Sequence, residues 1–280
     1  MRKTRLDLLL VARGLAESRS KAQALVMAGQ VRVDGQVEIK ASAQVTPEAR
    51  LDLDAGPRFV SRGGEKMEAA FIAFAVDVKG RVCADVGSST GGFTDCLLQH
   101  GAAKVYAIDV GKGILHWKLR KDPRVAVMEE TNARYVKSLP EPVSLVTIDA
   151  SFISLKILLP VVKGWVPSPP SPLPLGEGCR GEGCVLALIK PQFEAGRKET
   201  ARGQGVIRDP AIHEAVLTDV LTFAQSQGFV VRGLLRSPVL GPKGNVEFLA
   251  WMGMGGERVE DIAGLVNSVL ESTEKREEHE

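Results

Sequence analysis

Apolar residues recur at helical spacing through residues 5–13 (RLDLLLVAR) and again from Lys21 to Met27, with Ser18 and Ser20 as candidate caps and Gly29 as a stop. The next run, VRVDGQVEI, alternates apolar and polar positions about Asp34-Gly35, which predicts a hairpin. An amphipathic helix is predicted in GGEKMEAAFIAFAV. Beyond residue 80 the pattern changes. VCADVG, VYAIDV, SLVTIDA and VLALIK are short branched-apolar runs followed by turn or helix signals, and NVEFLAWM reads as a late strand. Buried strands alternating with helices predict an α/β fold with a doubly wound parallel sheet, preceded by a small α+β module.

At 280 residues, 44% hydrophobic and 25% charged, the chain has the composition of an ordinary globular protein of two domains. We place the boundaries at 1–55, a linker at 56–62, a large domain at 63–268 and an acidic tail at 269–280. The longest apolar run, Ile153 to Val162, is broken by Lys156 and is shorter than the ~20 residues a membrane span requires. No signal peptide is apparent and the four cysteines form no disulfide framework, so a cytoplasmic protein with no membrane association is expected. Residues 167–184 (PSPPSPLPLGEGCRGEGC) are a low-complexity insert, in which Cys179 and Cys184 have a spacing unsuited to metal. No metal is expected.

Net charge is only +2, but residues 1–40 carry eight Lys or Arg against four acids, making the basic end the candidate nucleic-acid face. Asp85, Asp109, Asp149 and Lys190 each fall at the carboxyl end of a predicted strand, where open α/β sheets bind ligands. The turn Asp85-Val-Gly87-Ser88-Ser89-Thr90-Gly91-Gly92-Phe93 supplies glycines before a helix N-terminus, but its spacing does not meet the dinucleotide pattern G-x-G-x-x-G. Asp109 stands where paired hydrogen bonds would hold a ribose diol.

The first module, with RLD, Gly14-Leu15-Ala16, SRSKAQALVMAGQVRVDG and Lys40, closely resembles the S4 RNA-binding domain from residue 5 to about 50. The resemblance implies that Arg5, Arg19, Lys21 and Arg32 meet the backbone of a structured RNA. The D-x-G-x-x-x-G-G loop resembles the first motif of Rossmann-type, class I methyltransferases. It implies S-adenosylmethionine bound along Asp85 to Phe93 and Asp109, with Thr131 and Asn132 near the adenine. Lys66, Asp149, Lys190 and Glu247 resemble the K-D-K-E set of the RrmJ/FtsJ-type 2'-O-methyltransferases, in which the second lysine, here Lys190, is the favoured proton acceptor.

With VSRGGEKMEAAF, DASFISL, IKPQFEAG and SPVLGPKGNVEF, the chain resembles the TlyA family over nearly its full length. That family carries both a haemolysin label and methyl transfer to cytidine 2'-oxygens of 16S and 23S ribosomal RNA. Ribosomal RNA and ribosomal subunits are the implied partners, and a monomer is expected. Two other readings stand beside this one: a pore-forming haemolysin, and a non-catalytic RNA-binding assembly factor. The enzymatic reading requires Lys66, Asp149, Lys190 and Glu247 to converge in space.

Overall fold

The computed structural model describes residues 3–54, 56–166, 183–196, 199–200, 203–255 and 259–277. The chain divides into two compact units, Met1–Arg58 and Phe59–Glu280. The expectations for Cys179 and most of the insert at 167–184 fall outside the described residues.

In the first unit, helices α1 (Leu6–Ala12) and α2 (Arg19–Met27) pack on each other. Ser18 caps α2 by accepting a hydrogen bond from the Lys21 N–H at 3.2 Å. Strands β1 (Thr4–Arg5), β2 (Val31–Val33), β3 (Gln36–Val37), β4 (Gln44–Val45) and β5 (Leu51–Leu53) form two small antiparallel sheets, with β2 between β3 and β5. Asp34 and Gly35 both take positive φ, 51° and 84°, the backbone a two-residue hairpin of this hand requires. Leu6, Leu10, Ala22, Val26 and Val31 are fully buried and form the core of this unit.

The second unit is a seven-stranded sheet flanked by helices. Its strands are β6 (Val82–Val86), β7 (Lys104–Ile108), β8 (Val125–Met128), β9 (Leu145–Ile148), β10 (Cys184–Ile189), β11 (Val230–Arg236) and β12 (Phe248–Gly253), in the order β11-β12-β10-β9-β6-β7-β8. The five strands from β10 to β8 are parallel, whereas β12 runs antiparallel to both β10 and β11.

Along β10, Leu186 and Leu188 enter one core while Val185, Ala187 and Ile189 enter the other, and all six strand residues are buried. Both faces are therefore covered, which is why this strand reads as an unbroken apolar run. On one face lie α3 (Gly63–Phe74) and α4 (Gly92–Gln99), whose Met67, Phe71 and Leu97 fill that core. On the other lie α6 (Leu155–Lys163) and α8 (Pro210–Ser226), the latter started by Asp209 as cap and Pro210 in its first turn. Two short helices, α5 (Trp117–Arg120) and α7 (Pro191–Glu194), follow β7 and β10.

Two sequence expectations are corrected. Cys184 does not belong to the insert: it opens β10, is fully buried and pairs in register with Leu145 and Gly253. The tail does not begin at 269, because helix α9 (Ile262–Glu277) runs through that point. Ile262, Leu265, Val266, Val269 and Leu270 form an apolar stripe against the core, so packing holds the helix despite the glutamates that follow.

Candidate active site

The sheet order reverses between β6 and β9, and a crevice opens at their carboxyl ends. The backbones come so close there that a Cβ on Gly87 (φ +81°) would lie 2.6 Å from the Asp149 carbonyl oxygen. Only glycine fits. The loop from Gly87 to Phe93 then turns into α4, and the Ser89 N–H donates to Asp109 Oδ2 at 2.8 Å. The Gly111 N–H donates to the other Asp109 oxygen at 2.7 Å, fixing the carboxylate just beyond β7.

Two clefts share this crevice. The larger, about 620 Å³, is lined by Gly87, Ser89, Asp109, Thr131, Asn132 and Phe152 together with apolar Val110, Ile114 and Ile157. A carboxylate beside an apolar slot suits a nucleoside, with the diol on the acid and the base among the aliphatic side chains. The smaller, about 320 Å³, is lined by Gly87 to Thr90, Gly92, Phe93, Lys66, Asp149, Lys190 and Glu247. Gly87, Ser89, Asp149 and Ser151 line both clefts, so the two are contiguous.

The four charged residues of the smaller cleft form two ion pairs. Lys66 Nζ lies 2.6 Å from Glu247 Oε2, and Lys190 Nζ lies 2.6 Å from Asp149 Oδ1. Lys66 and Lys190 are each 7% exposed and Glu247 1%, so these are charges removed from water and neutralised locally. Strand ends place three of them: Asp149 follows β9, Lys190 follows β10, and Glu247 precedes the antiparallel β12, whose first residue pairs with Ile189. Lys190 Nζ also donates to Ser151 Oγ at 3.1 Å. Glu247 Oε1 accepts from Gln192 at 3.4 Å, and a Cβ on Gly241 would meet that oxygen at 2.2 Å, so this glycine makes room for the carboxylate.

Over residues 59–254 the sequence matches the model of the FtsJ-like methyltransferase family, and over residues 4–51 that of the S4 domain. The chain belongs to the FtsJ-like methyltransferase family. The protein of Mycobacterium tuberculosis named 16S/23S rRNA (cytidine-2'-O)-methyltransferase TlyA is 41% identical over 96% of each chain. Hemolysin A of Brachyspira hyodysenteriae is 38% identical over 88% of this chain and 98% of its own. A solved structure from Streptococcus thermophilus, at 40% identity, covers 99% of both chains with a TM-score of 0.69.

Not every residue expected at the FtsJ-like site lines it. Asp85 is fully buried within β6 and lines neither cleft; its carboxylate accepts from Thr94 Oγ1 at 2.6 Å and Thr147 Oγ1 at 3.0 Å. Burial pushes its pKa up to about 7 against those two hydrogen bonds. From within β6 it braces the start of α4 through Thr94. Gly91 faces Leu115 and Leu119 and likewise lines neither cleft. Gly87, Ser88, Ser89, Thr90, Gly92, Phe93, Asp109, Thr131 and Asn132 do line them.

Several lining residues went unread in the sequence: Ser61 and Arg62 before α3 and Gly63 at its start, Ser151 and Phe152 after β9, and Leu240 to Pro242 before β12. Phe152 is 90% exposed with φ +63°, a backbone state costly for a bulky side chain, and its ring lies 4.9 Å from that of Phe193. The SFISL and SRGG motifs were the available signal.

In the S4 unit the four basic residues differ in their freedom. Arg5 and Arg19 both pair with Asp7, at 2.8 and 3.1 Å, and Gln23 adds a third donor to this fully buried carboxylate. Those donors, Arg5 foremost, hold Asp7 well below the usual carboxylate range. Arg32 pairs with Asp54 at 2.9 Å, and Lys21 is exposed on the first turn of α2.

Proposed function

We propose that this FtsJ-like protein transfers a methyl group from S-adenosylmethionine to the ribose 2'-hydroxyl of a cytidine in 16S or 23S ribosomal RNA, acting on ribosomal subunits in the cytoplasm. One observation carries the chemistry: two lysine-carboxylate pairs, both lysines buried, face a single cleft continuous with a nucleoside-shaped one. The identity of the RNA is supported by the curated relatives' names, since those of Mycobacterium tuberculosis and Campylobacter jejuni both specify cytidine-2'-O methylation of rRNA.

S-adenosylmethionine, when bound, supplies an electrophilic methyl group. Asp109, Thr131 and Asn132 would hold its nucleoside end in the larger cleft, and Gly87 to Phe93 its amino-acid end. The protein's own task is to hold a sugar hydroxyl in line and remove its proton. Lys190 Nζ, made neutral by giving one proton to Asp149 Oδ1 beside it at 2.6 Å, takes the hydroxyl proton as the oxygen–carbon bond forms, while Ser151 fixes the amine's direction. Lys66, held by Glu247, positions the ribose in the same cleft. Arg5, Arg19, Lys21 and Arg32 dock the S4 unit on RNA phosphates.

A pore would have no use for buried ion pairs around a nucleoside cleft, and among the described residues no helix is long and apolar enough to cross a membrane. The test is mass-spectrometric mapping of 2'-O-methyl marks in ribosomal RNA from cells with and without the gene, beside methyl transfer by purified protein to isolated subunits. A ribose mark on cytidine that vanishes with the gene is expected. Unchanged ribose methylation, or a mark on a base, overturns the proposal.

A further inference from the structure

Away from both clefts, α3 and α4 bring three metal-binding side chains together. Glu68 extends from α3, while Cys96 and His100 stand four residues apart on α4 and its C-terminal cap. His100 Nε2 lies 3.0 Å from Glu68 Oε2, Cys96 Sγ lies 3.9 Å from the same oxygen, and the three ligand atoms all fall within 4.8 Å of one another. Cys96 is fully buried; the side chains of Glu68 and His100 are 15% and 32% exposed. Phe71 packs edge-on against the imidazole and limits how that ring can turn.

We propose that Glu68, Cys96 and His100 form a zinc site. A tetrahedral zinc ion with bonds of about 2.0–2.3 Å sets its ligand atoms roughly 3.3–3.8 Å apart. Two edges, 3.0 and 3.9 Å, lie close to that range and the third is within 4.8 Å, so a side-chain shift of at most about 1 Å encloses the ion. A thiolate, an imidazole and a carboxylate select zinc over magnesium or calcium, which prefer all-oxygen shells.

The two anionic ligands neutralise the ion's charge, which suits a half-buried groove, and the fourth position opens to water on the exposed side of His100. On binding, the Cys96 thiol releases its proton to solvent as the sulfur–metal bond forms, with no change of oxidation state. The ion would clamp α3, the helix that carries Lys66, to α4, the helix that the glycine loop enters. From the sequence, where Cys179 and Cys184 are the candidate pair and their spacing is unsuited to metal, no such site is expected.

The experiment is a cobalt(II) titration of the full chain, stripped with chelator and kept reduced, followed by zinc competition. One equivalent of cobalt is expected to produce a thiolate-to-cobalt charge-transfer band that zinc removes. The band is expected to vanish in Cys96→Ala, and affinity to fall about tenfold or more in His100→Gln and Glu68→Gln. At a hundredfold excess over Kd, zinc is expected to raise the unfolding midpoint by roughly 5–10 °C.

The absence of any band overturns the site. So does a band of unchanged strength in Cys96→Ala, because it would place the metal on another cysteine. Should Cys96→Ala fail to fold, unchanged cobalt affinity in His100→Gln overturns the proposal equally. The readout is spectroscopic and independent of methyl transfer, and Glu68, Cys96 and His100 line neither cleft.

Discussion

Lys66 Nζ and Glu247 Oε2 meet at 2.6 Å across 181 residues of chain, with the glutamate almost fully buried. Removing one partner strands a charge away from water, so Lys66→Met is expected to cost about 3–5 kcal/mol of stability. The double variant Lys66→Met with Glu247→Leu recovers most of that loss. Urea unfolding with an unchanged slope checks both, and the double variant is expected to stay inactive.

Lys190→Ala is expected to lower methyl transfer by about 10²–10⁴-fold, the usual contribution of a positioned proton acceptor. Affinity for S-adenosylmethionine is expected to be nearly unchanged, because Lys190 does not line the larger cleft that would hold the nucleoside end. Single-turnover transfer of labelled methyl groups, run beside calorimetric cofactor binding, separates the two quantities. Loss of cofactor binding with activity per bound cofactor intact would move Lys190 out of the catalytic role.

Asp85 predicts a pH dependence of stability. Its folded pKa, pushed up to about 7, exceeds the ordinary value of 3.8, so the folded protein retains a proton that the unfolded chain has already released. The stabilisation is fully present below pH 3.8 and is lost as pH rises through about 7. Asp85→Asn keeps the volume and removes the titration. Melting temperatures across that range are expected to fall less steeply in the variant than in the parent protein.

Phe152→Ala is expected to leave the unfolding midpoint nearly unchanged, since the ring is 90% exposed. If the ring stacks on a base of the RNA substrate, kcat/KM drops by roughly 5–100-fold, matching the ~1–3 kcal/mol of such a contact. Steady-state kinetics on isolated subunits decides the matter, and an unaltered kcat/KM would remove Phe152 from substrate binding.

Much of the architecture was legible because local and global signals agree. The Asp34-Gly35 turn, the Ser18 cap and the apolar runs of β6, β7, β9 and β10 each depend on neighbours within a few residues. The convergence of Lys66, Asp149, Lys190 and Glu247 was readable only through resemblance, since no local rule links positions so far apart.

Elsewhere the signal was ambiguous. Asp85 and Asp109 both stand near strand ends, yet Asp85 is still inside β6 and turns toward Thr94 and Thr147, whereas Asp109 lies one residue past β7 and reaches the crevice. The left-handed backbone at Phe152 leaves no trace in composition. Glutamates near the end of the chain masked the apolar stripe from Ile262 to Leu270, which only the core to which it docks makes visible.

The antiparallel course of β12 has a consequence for biosynthesis. Everything the cofactor loop needs emerges early, but the partner of Lys66 lies just ahead of the last strand to enter the sheet. A nascent chain halted before that strand could display the glycine loop while its first lysine still lacked a counter-charge. Competence for chemistry would thus arrive late and all at once, as the final sheet strand locks in beside β10.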